Sequence, residues 1–195
     1  EYANTEDWDA KESKRHVYAL DCEMVETTAG FELARITIVD EYFDTVYDQL
    51  VKPENEVINY HSAITGIDAE TYRANNAITR ECVLDDLRAY ITAESVLVGH
   101  SLENDLHALR LIHRNVVDTA ILFPKTLGYK YSLKSLAYNY FKLKIQEGTH
   151  DSAEDAKMAL ALLKAKVELL ANFPEVSDNA KEYDLLKAYC EQSNL

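Results

Sequence analysis

One stretch of the sequence decides the fold: Val17-Tyr18-Ala19-Leu20-Asp21-Cys22-Glu23-Met24-Val25. Apolar residues on both faces of this stretch predict a strand in the middle of a sheet. Residues i and i+2 of a strand point to the same face, so Asp21 and Glu23 project together. Two unpaired carboxylates in an apolar strand repel each other and cost several kcal/mol to desolvate. The stretch therefore predicts a cation between the two acids, and a divalent metal ion is the first candidate.

The composition is that of a globular domain. The 195 residues are 47% apolar and 28% charged, which favours one domain with a substantial core. No apolar run approaches the roughly 18 residues that cross a bilayer, so no membrane association is expected. Cys22, Cys82 and Cys190 are widely spaced without a metal-binding pattern, which indicates a reducing, intracellular setting.

Strand and helix signals predict an α/β fold. Three strands at about 17–25, 33–39 and 45–51 have short links, which indicates an antiparallel meander because parallel links need longer crossovers. The later elements are expected in the order helix 79–91, strand 95–98, helix 102–111, strand 115–117, helical turn 120–123, helix 132–141 and helix 152–171. The prediction is a mixed sheet, made of the three-stranded antiparallel meander plus two parallel strands, with helices on both faces.

Three segments are expected along the chain. Residues 1–16 are polar and form an N-terminal extension that docks on the domain or stays mobile. Residues 17–172 form the main domain. Residues 173–195 contain a C-terminal amphipathic helix that begins near Ser177 and packs on the domain or on a partner.

One acid falls inside the apolar face of the helix predicted at 102–111. At about 100° per residue, Asp105 lies within the apolar arc, between the directions of Leu109 and Ile112. An isolated Asp on a helix is usually a surface charge or a cap. Its position in the core-facing stripe instead favours a buried, functional carboxylate.

The long helix predicted at 152–171 repeats this feature. Asp155 lies in its first turn at the edge of the apolar stripe, where interaction with the helix dipole is the alternative role. Asp151 and Glu154 can already fill that role, which leaves Asp155 less explained. His150 is expected in the loop that enters the helix, where a side chain that titrates near neutrality can act as a general base.

Four acids are therefore expected to point inward: Asp21, Glu23, Asp105 and Asp155. One cation would not need four acids, whereas two cations about 4 Å apart would. Such a pair supports phosphodiester hydrolysis, because one ion readies a water and the other steadies the leaving oxygen. A ligand set made only of oxygen favours Mg²⁺ or Mn²⁺ over Zn²⁺.

Three motifs carry the acids, namely Asp21-Cys22-Glu23, Gly99-His100-Ser101-Leu102-Glu103-Asn104-Asp105 and His150-Asp151-Ser152-Ala153-Glu154-Asp155. Their order resembles the DEDDh family of 3′→5′ exonucleases, which share a ribonuclease H-like fold. The flanking segments 33–39, 117–119 and 132–137 look like the Rex-type branch, closest to the RNA exonuclease 1-like proteins. The resemblance covers about residues 17–171, so it implies that 17–172 is an exonuclease domain.

The resemblance implies a role for each residue of the motifs. Asp21, Glu23 and Asp155 would hold the ion that carries the attacking water, Asp21 would bridge to the second ion, and Asp105 would complete the cluster. His150 would take the proton from the water, and nucleoside 5′-monophosphates would leave from the single-stranded 3′ end of RNA. The resemblance also implies substrate-binding residues. Met24 and Val25 would line the pocket of the terminal nucleotide, and Leu102 and Asn104 would lie near its base or sugar. His100 is the remaining implied substrate-binding residue. The same resemblance implies a nuclear location.

One position departs from the family pattern. Related members often carry Asp-Tyr-x-Thr-Arg-x-Ser-Gly, whose Arg is a candidate substrate contact, whereas this chain has Ala63 at that position, in the segment 59–66. RNA as the substrate is therefore implied by the branch and not by a residue. The alternatives are a DNA 3′→5′ exonuclease or a degrader of short oligonucleotides with the same fold. An inactive nucleic-acid-binding scaffold is a further alternative, which the presence of all four acids disfavours.

A basic segment runs through an otherwise acidic chain. The formal net charge of −14 argues against a nucleic-acid partner. Residues 119–146 nevertheless contain no Asp or Glu and five lysines, which are Lys125, Lys130, Lys134, Lys142 and Lys144. An ordinary solvated face is one explanation. The other hypothesis is that lysines such as Lys130 and Lys134 follow the RNA backbone, with Tyr129 or Tyr131 as a stacking face and with Tyr138 and Phe141 in the core.

Overall fold

A computed structural model describes residues 2–8, 15–74, 76–125 and 128–174. The strands are β1 (Ala3–Asn4), β2 (Val17–Thr27), β3 (Gly30–Asp40), β4 (Thr45–Leu50), β5 (Val57–Asn59), β6 (Val96–Gly99), β7 (Leu111–Ile112) and β8 (Val116–Asp118). The α-helices are α1 (Ser62–Thr65), α2 (Ala69–Ala74), α3 (Arg80–Leu87), α4 (Glu103–Leu109), α5 (Thr119–Leu122), α6 (Leu133–Leu136) and α7 (Ser152–Asn172). Among these described elements, no helix has the length and apolar character that a membrane span requires.

The main sheet has the predicted topology. Its strand order is β4-β3-β2-β6-β8, in which β2, β3 and β4 are antiparallel neighbours. Strands β6 and β8 continue the sheet in parallel on the other side of β2. The mixed sheet is therefore confirmed, with β2 at its centre. The short strand β5, which pairs with β2, and the small β1–β7 sheet were not predicted.

The two faces of the sheet carry different helices, because side chains alternate along each strand. On one face, Leu20 and Ile36 belong to the larger core together with Leu87 of α3. On the other face, Ala19 packs with Ala156, Ala159 and Leu160 of α7. Helices on both faces are thus confirmed.

Helix α4 is shorter than predicted. Arg110 adopts a left-handed conformation with φ 53°, and its N–H bonds to the carbonyl oxygens of Leu106 and His107, which ends the helix at Leu109. Ile112 consequently lies in β7 and is 46% exposed. The prediction of an apolar stripe that continues to Ile112 was wrong, although Asp105 is buried as expected.

The described part of the N-terminal segment docks on the domain. The Ala3 N–H donates to the Arg110 carbonyl oxygen at 2.9 Å, and Thr5 Oγ1 lies 2.8 Å from His113 Nδ1. Trp8 is 5% exposed and belongs to the larger core. Docking is thus the outcome for residues 2–8, while the domain limits at 17 and 172 stay a proposal. The helix predicted to begin near Ser177 lies outside the described residues.

Trp8 should contribute strongly to stability. Trp8→Ala removes a large buried side chain and leaves a cavity, so we expect a loss of about 3–5 kcal/mol in the free energy of unfolding. Denaturant titration followed by circular dichroism measures this loss. Tyr42→Ala is the control, because Tyr42 is 74% exposed and its truncation should cost less than about 0.5 kcal/mol. Equal stability of the two variants would show that the N-terminal segment does not dock in solution.

Candidate active site

Strand β2 holds the first two acids on the face covered by α7. Ala19 packs against α7, and Asp21 and Glu23 follow at successive i+2 positions of the same strand. The antiparallel register places Asp21 opposite Thr37 and Glu23 opposite Arg35. The register shifts just after Glu23. Glu23 is 5% exposed and Asp21 is half-buried, so the sheet itself brings both carboxylates to one site.

The turn between β6 and α4 brings Asp105 to the same strand. A side chain at Gly99 would meet Leu102 Cδ1 at 2.7 Å and the Leu20 carbonyl oxygen at 3.2 Å, so the close approach of this turn to β2 requires glycine. Asp105 is buried, and its Oδ1 accepts the backbone N–H of Cys22 at 2.9 Å. This hydrogen bond ties the third acid to the residue between Asp21 and Glu23.

The start of α7 supplies the fourth acid and the histidine. Asp151 caps the helix by accepting the Ala153 N–H at 2.9 Å. Asp155 is 3% exposed, and its Oδ2 accepts Nε2 of Gln146 at 2.7 Å. His150 lies in the loop before the helix, as predicted, with Nδ1 3.8 Å from Asp155 Oδ2. The backbone N–H of His150 donates to the Ile64 carbonyl oxygen at 2.6 Å, so the loop is anchored at His150 itself as well as at the Asp151 cap.

The four acids resist ionisation together. Burial and the neighbouring carboxylates Asp105, Asp155 and Glu23 hold the pKa of Asp21 well above its ordinary value. Burial, with repulsion from Asp155, raises the pKa of Glu23 to about 7. Burial likewise raises the pKa of Asp105 to about 7, although the hydrogen bonds from Cys22 act against the rise. The pKa of Asp155 is raised by burial, against the hydrogen bond from Gln146 and the nearby His150.

The chemistry of these groups fits divalent cations. Glu23 Oε1 and Asp155 Oδ1 are buried and lack a hydrogen-bond partner, and carboxylate oxygens are the ligands that Mg²⁺ and Mn²⁺ prefer. Within the described ranges, no three His, Cys, Asp or Glu side chains form a group that could hold a metal ion as they now stand. Asp105 and Asp155 instead each direct one oxygen to a protein donor. The donor set fits an ion, while the present rotamers do not enclose one.

The predicted nucleotide-binding residues are only partly accessible. Met24 is half-buried and Asn104 is exposed, with its side chain bonded to the Ser101 carbonyl oxygen at 3.2 Å. Val25 is fully buried in the core beside Ile67. Leu102 is 1% exposed because it packs into the larger core. Val25 and Leu102 therefore offer no side-chain surface to a nucleotide in this structure, and the substrate-binding roles of Met24, Val25, Leu102 and Asn104 stay predictions.

His100 is held by the protein through both ring nitrogens. Nδ1 lies 2.9 Å from Thr119 Oγ1, and Nε2 lies 3.0 Å from the Tyr131 carbonyl oxygen. Burial lowers the pKa of His100. The ring therefore links the end of β6 to the basic segment, and a direct role in RNA binding stays a prediction.

Several lysines of the basic segment already bond to other groups of the protein. Lys130 forms an ion pair with Glu103, and Lys134 Nζ donates to the Gln146 carbonyl oxygen at 3.0 Å. Tyr129 is 68% exposed and available for stacking. Tyr138 is 55% exposed because it lies on the outer side of the π-helical turn Ala137–Phe141, so its placement in the core was wrong.

Phe141 is buried as predicted. Lys125 lies over the ring of Tyr131, with Nζ 5.3 Å from the ring centroid, and Lys144 approaches Glu147 at 3.7 Å.

Sequence reasoning missed two features beside His150. Gln146, which binds Asp155, carries no local signal because it lies in a loop. A polar cavity of about 620 Å³ reaches His150 without reaching the four acids, and it is lined by residues that include Arg35, Asp48, Gln49, Thr65 and Thr149. Ala63, at the departing family position, is exposed on α1, the helix that also holds the His150 loop through Ile64.

Comparison with known proteins places these residues in a family. A family model described as RNase_T, Exonuclease, matches residues 18–163. Relatives include putative exonuclease GOR of Homo sapiens, 48% identical over 77% of this chain and 23% of that protein. RNA exonuclease 1 homolog of Homo sapiens is 44% identical over 77% of this chain and 13% of that protein. RNA exonuclease 3 of Candida albicans is 40% identical over 78% of this chain and 38% of that protein, so the chain spans well under half the length of these relatives.

Solved structures confirm the ribonuclease H-like fold. The Pan2 pseudoubiquitin hydrolase–RNA exonuclease module of Saccharomyces cerevisiae, in complex with AAGGA RNA, superposes with a TM-score of 0.73 at 28% identity, over 93% of this chain and 33% of that chain. The Pan2 catalytic unit of Neurospora crassa superposes with a TM-score of 0.75 at 26% identity, over 93% of this chain and 31% of that chain. The match of the family model includes Asp21, Glu23, Asp105 and Asp155 and extends over more than half of the sequence, so this chain belongs to the RNase_T exonuclease family.

Proposed function

We propose that this domain is a 3′→5′ exoribonuclease that releases nucleoside 5′-monophosphates from the single-stranded 3′ end of RNA. The observation that carries the proposal is the cluster of four acids, in which Glu23 Oε1 and Asp155 Oδ1 are buried without a hydrogen-bond partner. A cluster of this kind is costly unless it serves a cation. Pan2 structures that contain RNA and relatives named RNA exonucleases support RNA as the substrate. The nuclear location implied by the Rex-type resemblance is part of the proposal.

The acids would hold two divalent cations, Mg²⁺ or Mn²⁺, in the roles expected for Asp21, Glu23, Asp105 and Asp155. When bound, such ions supply charge that activates a water and stabilises the leaving oxygen. The protein contributes fixed positions: β2 holds Asp21 and Glu23 in register, and the Cys22 amide orients Asp105. Asp155 would offer the ions Oδ1, which has no hydrogen-bond partner, and Asp105 would offer the oxygen that the Cys22 amide does not hold.

His150 would act as the general base. Its ring is one-third exposed, and Nδ1 faces Asp155, so Nε2 is the nitrogen we assign to the attacking water. The nearby carboxylate of Asp155 would stabilise the imidazolium that forms when the ring takes the proton. The backbone bond to Ile64 would hold the ring at this position.

Digestion of a 5′-labelled RNA in Mg²⁺ or Mn²⁺ tests the activity. Products shortened one nucleotide at a time from the 3′ end are expected, and matched DNA and shorter RNA oligonucleotides test the alternative substrates. Asp21→Asn should lower the rate by at least about 100-fold. His150→Ala should lower it by about 10²–10⁴-fold, with partial rescue by added imidazole.

His107→Ala is the matched control, because His107 is an exposed histidine on α4. Its rate should equal that of the wild type. Undiminished cleavage by Asp21→Asn would overturn the metal assignment, and undiminished cleavage by His150→Ala would overturn the assignment of the base.

The acid cluster should also destabilise the metal-free protein at neutral pH. The pKa of Glu23 and the pKa of Asp105 are each about 7 in the folded state, above their ordinary values of 4.5 and 3.8. Between these values the folded state binds more protons than the unfolded state, so stability should fall as the pH rises from about 4 to about 7. In EDTA at pH 7.5, Glu23→Gln should raise Tm by about 2–4 °C for each kcal/mol of repulsion removed.

Glu32 provides a control of opposite sign. Burial acts against ionisation there, but hydrogen bonds from Asn55 and Glu54 prevail and hold the pKa of Glu32 below its ordinary value. Glu32→Gln should therefore lower Tm. Added Mg²⁺ or Mn²⁺ should raise the Tm of the wild type more than that of Glu23→Gln. Equal Tm values for wild type and Glu23→Gln in EDTA would contradict the repulsion described above.

The hypothesis that the lysines contact RNA can be tested through salt dependence. Lys130→Ala/Lys134→Ala should lower the slope of log affinity against log salt by about 1.4, since each single-strand phosphate contact contributes about 0.7. Fluorescence anisotropy with the inactive Asp21→Asn protein measures the slope. Glu103→Gln should strengthen binding, because it frees the charge of Lys130 from its ion pair. An unchanged slope in the double variant would exclude these lysines as phosphate contacts.

A further inference from the structure

A chain of four polar side chains runs from the sheet to the first residue of α7. Arg35 donates to both carboxylate oxygens of Asp48, at 2.7 and 2.6 Å. Thr37 Oγ1 lies 3.2 Å from Asp48 Oδ1 and 2.6 Å from Ser152 Oγ. Thr37 and Ser152 are both fully buried. The chain thus crosses from β4 through β3 to the helix that carries Asp155.

The hydrogen bonds of this chain have one consistent direction. An ionised carboxylate only accepts, so the Thr37 hydroxyl donates its single proton to Asp48. Thr37 then accepts from Ser152, whose hydroxyl is the donor. The Arg35 guanidinium keeps Asp48 ionised, because its hydrogen bonds hold the pKa of that carboxyl below its ordinary value. Ser152 therefore has a defined partner and a defined orientation.

The chain lies directly beside the acids of β2. Thr37 is opposite Asp21 and Arg35 is opposite Glu23 in the antiparallel register, and opposed residues have Cβ atoms about 4.5–5.5 Å apart. Ser152 lies two residues after His150 and three before Asp155. A fixed Ser152 therefore fixes the base and the fourth acid relative to the strand that holds the other two.

We propose that Thr37, acting through Ser152, is a positioning residue that sets the first turn of α7 against β2. This inference rests on the proposed roles of His150 and Asp155. The cap by Asp151 is local to the helix and cannot set its position on the sheet. The apolar contacts of α7 with the sheet involve Ala156, Ala159 and Leu160, and apolar packing has no direction. A buried hydrogen bond supplies the direction.

The test compares Thr37→Val with Thr37→Ser. The first removes the hydroxyl at nearly constant shape, and the second keeps it. For Thr37→Val we expect kcat on RNA to fall about 10- to 100-fold, with KM changed by less than about twofold. Titration calorimetry of Mn²⁺ into the protein without RNA should show affinity weakened by a similar factor. Thr37→Ser should restore both values, and Ser152→Ala should reproduce the loss.

Thr5→Val controls for the loss of a buried hydroxyl elsewhere. Thr5 is 1% exposed and bonds to His113, in the docked N-terminal segment. The Thr5→Val variant should have a lower Tm, while its kcat and its Mn²⁺ affinity stay at wild-type values. Wild-type kcat and Mn²⁺ affinity in Thr37→Val would overturn the positioning role, as would equal losses of kcat in Thr5→Val and Thr37→Val. Full activity of Asp155→Asn would instead overturn the proposed role of Asp155, and absence of RNA digestion by the wild type would overturn the proposed function, so these failures are distinguishable.

Discussion

The structure depends on how an apolar sheet accommodates four carboxylates at one place. Glu23, Asp105 and Asp155 are each no more than 5% exposed, and burial is the largest cause of the raised pKa at each of them. Desolvation and mutual repulsion both favour the neutral acids, so the metal-free site is under electrostatic strain at neutral pH. Protonation relieves this strain, and so would the proposed cations, which would also make the site catalytic. The rest of the fold can be understood as the means of holding these acids together.

Separate parts of the chain supply the acids, and a distinct backbone feature positions each one. The β2–β3 register places Asp21 and Glu23, the glycine-dependent turn after β6 brings in Asp105, and the capped start of α7 presents Asp155. Arg35 lies opposite Glu23 and lowers its pKa, yet the pKa of Glu23 still rises to about 7. Burial is the main reason, together with repulsion from Asp155, and two hydrogen bonds join the Arg35 guanidinium to Asp48. Arg35, paired with Asp48, does not neutralise the cluster, so the proposed cations would supply the missing positive charge.

Local periodicity in the sequence predicts which face a side chain occupies, and this was enough to bring the four acids to one site. It does not predict long-range partners. The burial of Leu102 depends on the close turn at Gly99, and the pairing of Lys130 with Glu103 joins residues 27 positions apart. The rule that placed Asp21 and Glu23 on one face also places Arg35 and Thr37 of the next strand on one face, although it does not identify Asp48 and Ser152 as their partners. Gln146 could not be found in this way, because a loop has no period.

The charge of the protein bears on the proposed binding of RNA. The chain has a formal net charge of −14, and ion pairs with Glu103 and Glu147 occupy Lys130 and Lys144 of its basic segment. A phosphate that approaches the proposed site meets four acids, so attraction would have to come largely from the proposed cations. The coupling between two bound ligands is reciprocal. If bound cations raise the affinity for RNA, bound RNA raises the affinity for the cations by the same factor. Recognition of the RNA 3′ end would then lie in the acid cluster itself as much as in the lysines, which would reconcile an acidic domain with the proposed polyanionic substrate.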